Sequence, residues 1–154
     1  MQLYEFLDHT ADVRLRIYGK DPKEVFIHAA RGLFDLMAER TNVKKRQRFP
    51  VEVRAPSLEE LLVAWLRELL YLSSSREVLL CEFRIQQLQT EPASSLNPKR
   101  KRQSDGLQLR GEVFGEKICL NRHLLKKEVK AVTYHGLSLK QQGKKWIAEV
   151  IFDV

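Results

Sequence analysis

Val13, Leu15 and Ile17 alternate with Arg14, Arg16 and Tyr18, the period of two expected of a strand with one buried face. A turn follows at Gly19, and Asp21-Pro22 with Glu24 then marks a helix start. It combines a capping side chain, a proline at the first helical position and an acid placed to reciprocate the cap. Phe26, Ala29, Ala30, Leu33, Phe34 and Met37 recur at intervals of three and four, so this helix carries an apolar stripe that needs a core to cover. Phe49, Val51 and Val53 alternate as the next strand, ended by Ala55-Pro56, where the proline removes a ladder donor. Ser57 and Glu60 repeat the capping signal. Leu58, Leu61, Leu62, Trp65, Leu66, Leu69 and Leu70 make the second helix apolar over much of its circumference, as a central helix would be. Ser73-Ser74-Ser75 predicts its end in a solvated turn.

Strands dominate the rest. Leu79, Cys81, Phe83 and Ile85 alternate, as do Leu107, Leu109 and Val113, and residues 129–135 are rich in β-formers. Trp146, Ala148, Val150 and Phe152 share one face of a final strand, entered through a hairpin turn at Gln141-Gln142-Gly143. Residues 89–105 cannot build a core and predict an exposed, mobile loop. The order is strands, helix, strand, helix and four strands. It predicts an α+β fold, a largely antiparallel sheet with two helices packed on one face, in a single domain over 1–154.

Composition adds limits. With 154 residues, 44% of them apolar, the chain can bury about 70% of its unfolded surface and needs neither disulfide nor structural metal to fold. Cys81 and Cys119 lack C-x-x-C spacing and read as small buried hydrophobes in a reducing compartment. No apolar run approaches the roughly 20 residues of a membrane span, and Met1-Gln2-Leu3-Tyr4-Glu5 is no signal pattern, so a soluble cytoplasmic protein is expected. The net charge of +7 is concentrated in two runs, Lys44-Lys45-Arg46 with Arg48, and Lys99-Arg100-Lys101-Arg102. Without those eight cations the remainder is nearly neutral.

Phosphate loops, dinucleotide turns and H-E-x-x-H helices are missing. His28 reads as packing or surface, and Cys119 with His123 is too sparse for zinc. Two places hold polar groups that the fold does not obviously need. One is Asp8-His9-Thr10-Ala11-Asp12, a loop ahead of the first alternating strand; the other is Ile151-Phe152-Asp153-Val154, where a strand stops at an aspartate beside an α-carboxylate. If the strands align so that these ends meet, Asp12, Asp153 and the Val154 carboxylate form an all-oxygen cluster suited to calcium, magnesium or manganese. The competing reading is a turn-capping aspartate and a frayed terminus. Lys130 stands in an apolar-aromatic strand, with Thr133 and His135 on the opposite alternation. It is either an outward solvated residue or a partner for phosphate or carboxylate.

Asp8-His9-Thr10-Ala11-Asp12, Glu128-Val129-Lys130-Ala131-Val132-Thr133-Tyr134-His135 and the terminal Trp146 to Val154, in that order, resemble the archease family over nearly the whole chain. The resemblance implies an accessory protein of RtcB-type RNA-splicing ligases, which use GTP and manganese. It would promote guanylylation and repeated turnover of the ligase without being a ligase itself. It implies a divalent cation, calcium foremost, held by Asp12, Asp153 and Val154. It also makes Lys130 a further functional candidate, with Asp8, His9 and His135 secondary. The basic run at 99–102 departs from the family pattern. Two other classes stay open: an RNA-binding module using the runs at 44–48 and 99–102, though no aromatics interleave them, and a metal-dependent phosphoesterase, for which no nucleophile or base stands out.

Overall fold

Both helix starts form from the signals that predict them. The computed structural model describes residues 2–7, 12–91 and 106–154; Asp8, His9 and the run Lys99–Arg102 lie outside the described residues. Helix α1 spans Pro22–Met37, and at its start the Asp21 carboxylate accepts from the Glu24 N–H at 2.8 Å. Glu24 reaches back to the Lys20 N–H at 3.3 Å. Helix α2 spans Leu58–Arg76, with Ser57 Oγ accepting from the Glu60 N–H at 3.2 Å. Trp65 on α2 is fully buried and donates its indole N–H to Phe26 O at 2.9 Å, which ties the two helices together.

The strands are β1 (Tyr4–Leu7), β2 (Asp12–Gly19), β3 (Gln47–Ala55), β4 (Val78–Leu88), β5 (Leu107–Lys117), β6 (Ala131–Gln142) and β7 (Lys145–Asp153). Every pairing is antiparallel. The antiparallel α+β arrangement is therefore the expected one, with its strands divided between two sheets, β1-β2-β7-β6 and β3-β5-β4. Helix α1 lies against β2 and β4, and α2 against β6 and β3, so each helix touches both sheets. A common core that includes Phe26, Phe34, Trp65, Leu15, Leu109 and Phe152 results. Each such side chain contributes about 2 kcal/mol on burial.

Two local expectations change. Helix α2 runs through the three serines to Arg76; Ser73 is buried and its hydroxyl donates to Val78 O at 2.5 Å. Glu77, with φ 55°, takes the left-handed cap that leads straight into β4. In β4 the register shifts between Leu80 and Glu82 and again between Ile85 and Gln87. The first shift reverses the alternation, so Val78 and Leu80 share the main core with Phe83 and Ile85. Leu79 and Cys81 join a small second cluster with Ala38, Val43 and Ile118. No helix among the described residues is long and apolar enough to cross a membrane.

Candidate functional site

Strand β7 is inserted between β2 and β6, and its last residue is where the three meet. Asp12 is the register partner of Asp153, and Asp153 is also the register partner of Ala131. Directly opposed residues of an antiparallel pair project from the same face with Cβ atoms about 5 Å apart. The two carboxylates therefore stand side by side. The row before them, Val13, Phe152 and Val132, turns the other way into the core, so the aspartates belong to the outer face of the sheet. Asp153 is exposed and Asp12 half-buried. The end of β7 is held: the Lys130 N–H donates to Asp153 O at 2.7 Å, and the half-buried Val154 packs against the core. Register thus joins residues from the two ends of the sequence that spacing alone could not bring together.

The donor set here is oxygen only, the chemistry that hard divalent cations select. Among the described residues no three His, Cys, Asp or Glu side chains converge on a common point. Asp12 and Asp153 supply two carboxylates, and the Val154 carboxylate follows directly in the chain. Further along the same face, Arg16 pairs with Glu149 at 3.0 Å and with Glu5 at 3.4 Å.

Lys130, expected within a strand, lies just ahead of β6; it is exposed and adjoins Asp153 through its backbone. It lines a cleft of about 740 Å³ together with Arg67, Tyr71, Glu77 and Glu128. Arg67 donates from Nε to Val132 O at 3.0 Å, and its guanidinium lies 4.4 Å from the centre of the Tyr134 ring. His135 is exposed in a bulge of β6 between Thr133 and Ser138. That bulge closes over the sheet through Gly136, whose φ is +68° and where a Cβ would come within 2.9 Å of Ile151 Cδ1.

The run at 44–48 is largely matched by acids. Lys45 pairs with Glu82 at 3.0 Å, Arg46 with Glu116 at 3.0 Å and Arg48 with Glu112 at 2.6 Å. Glu116 is a centre that sequence reasoning missed. It is 2% exposed and also accepts from the Lys44 N–H at 2.8 Å, Arg122 Nη2 at 2.7 Å and His123 Nε2 at 2.9 Å. His123 Nδ1 accepts the Cys119 N–H at 2.8 Å, which leaves the proton on Nε2 for Glu116. Burial alone would raise the Glu116 carboxyl, but the hydrogen bonds from His123, Lys44 and Arg122 outweigh it and hold it at about 2. Cys119 and His123 are thus parts of a structural clamp. His28 is likewise packing: it is buried, with Nδ1 2.6 Å from Tyr18 O.

Two antiparallel sheets and two bridging helices are features this chain shares with known proteins of similar sequence and fold. The archease protein family matches residues 4–154. The archease of Methanosarcina barkeri is 33% identical over 151 residues, covering 98% of this chain and 95% of its own. That of Pyrococcus furiosus is 32% identical and matches over the full length of both. The solution structure of a protein from Methanobacterium thermoautotrophicum superposes with a TM-score of 0.80 at 32% identity, covering 100% of both chains. An archease from Thermotoga maritima, described as a possible chaperone, shares the fold with a TM-score of 0.56 at 17% identity, covering 100% of this chain and 99% of its own. The chain belongs to the archease family.

Proposed function

We propose that the chain is a non-catalytic accessory protein that activates an RtcB-type RNA-splicing ligase in the cytoplasm, promoting its GTP-dependent guanylylation. The carrying observation is the register of Asp12 with Asp153, which gathers two carboxylates at one tip of the sheet. In this reading Asp12, Asp153 and the Val154 carboxylate hold a divalent cation, calcium first, with magnesium or manganese as alternatives. Bound there, the ion supplies positive charge toward phosphoryl oxygens. The protein's own residues fix the place. The three-strand junction keeps the aspartates in position, the Lys130 N–H anchors Asp153 O, and the core packing of Val154 keeps the strand end from fraying. The Lys130 side chain and Arg67, in the cleft on the helix side, add a cationic surface for an anionic partner group. Transfer chemistry stays with the ligase.

The test is ligase guanylylation with GTP and manganese, with and without the purified protein. Asp12→Ala and Asp153→Asn are expected to lower the stimulation at least tenfold while the thermal midpoint in the absence of metal stays near wild type. Stimulation by either variant equal to wild type would refute the assignment. The ion pairs of Lys45, Arg46 and Arg48 argue against RNA binding through that run, because each phosphate contact would have to displace a carboxylate.

A further inference from the structure

The segment joining β5 to β6 displays three leucines to solvent: Leu120 is 76% exposed, Leu124 61% and Leu125 47%. An exposed leucine on a loose loop is unremarked on most proteins, but this segment is fastened along its length. The Ile118 N–H donates to Glu77 O at 2.8 Å, the Glu39 N–H to Leu124 O at 2.9 Å and the Lys126 N–H to Met37 O at 2.8 Å. Ala38 and Leu125 form an isolated antiparallel bridge. Between these points the His123 N–H closes a turn onto Cys119 O at 2.7 Å, and the buried Glu116 grips Arg122 and His123. Leu120, Leu125 and Ile118 line one cleft of about 390 Å³; Leu125, Ile118 and Met37 line another of about 310 Å³. A backbone fastened in this way has already lost the chain entropy that binding would otherwise remove, which favours an interaction site at the leucines it displays.

The charges around them select the occupant. Residues 117–130 contain Lys117, Arg122, Lys126, Lys127 and Lys130 against a single acid, Glu128. Arg122 is taken up by Glu116 and Lys126 lies 3.9 Å from Glu39. Lys117, Lys127 and Lys130 remain, and outnumber the neighbouring Glu77 and Glu128. A second copy of the chain would bring one basic rim against another. We infer that the leucine segment at 118–126 is a docking surface for a protein partner whose contact face is apolar and edged with carboxylates. The inference rests on the reading above for the identity of that partner, the RNA ligase.

The experiment titrates labelled wild-type chain, Leu120→Ser/Leu124→Ser, Lys117→Glu/Lys127→Glu and Asp153→Asn against an RtcB-type ligase, recording binding and guanylylation together at two salt concentrations. The leucine and charge-reversal variants are expected to bind at least tenfold more weakly and to recover full stimulation at high concentration. Asp153→Asn is expected to bind like wild type and not stimulate. Wild-type affinity should fall as salt rises. If the wild type stimulates while both surface variants bind within twofold of it, the docking surface is refuted and the accessory role stands. Leucine-dependent binding without any stimulation refutes the accessory role alone. A wild type that does not bind the ligase overturns both, and leucine-dependent self-association in sedimentation replaces the proposed occupant with a second copy. Should the serine variant unfold, the charge-reversal variant carries the same decision.

Discussion

Glu116 shows how one residue can organise a region without announcing itself. In the sequence it is an acid in Gly-Glu-Lys at a strand end, which reads as a solvated position. Its donors come from residues 44–46 on one side and 122–123 on the other, and no local pattern links them. Asp12 and Asp153 were legible because two acids stand where a core-building pattern stops; Glu116 was not, because its partners exist only after folding. Its carboxyl is held at about 2 against an ordinary 4.5. Being depressed in the folded state, it contributes stability above pH 4.5 and loses that contribution as pH falls toward 2. Glu116→Ala strands buried donors and is expected to cost about 3 kcal/mol near neutrality. Denaturant unfolding across pH should show the gap between wild type and variant closing below pH 4.5. A gap that does not change with pH would contradict the clamp.

Among the elements, β4 explains why period-two reading reached the strand and missed its faces. Leu79, Cys81, Phe83 and Ile85 alternate faultlessly, but the register shift between Leu80 and Glu82 inverts parity, and one unpaired residue leaves no trace in the hydrophobic pattern. The bulge depends on β5 having no side chain at Gly115, where a Cβ would lie 1.9 Å from Leu79 O. Gly115→Ala must push the strands apart and is expected to cost roughly 3 kcal/mol. For a chain of this size that is a fall of about 6–12 °C in thermal midpoint. A midpoint within 2 °C of wild type would show that the bulge has room to yield. Helix α2 carries the converse lesson. Three serines have weak helix propensity, yet packing that buries Ser73 and bonds it to Val78 O overrides it.

For the whole molecule, both helices and the strands from β2 onward followed from the sequence in their order, while β1, the division into two sheets and the placing of β7 between β2 and β6 did not. Periodicity fixes which face of a strand is buried, not which neighbour it has. The acidic pair joins the second strand to the seventh, so an ion bound there should brace the entire sheet. Calcium at a hundred times its dissociation constant is expected to stabilise the wild type by about 2.7 kcal/mol, with no effect on Asp12→Asn/Asp153→Asn. Calorimetry with and without the ion reads this directly, and equal shifts in both proteins would place the ion elsewhere.

The central position of β7 also governs how the chain is made. The strand that completes this sheet is made last of its four, long after β2, so one edge of β2 stays unpaired until β7 arrives. Chains interrupted before Lys145 would carry two sticky borders and no acidic tip. A protein of this design closes its sheet and brings its two aspartates together in the same step.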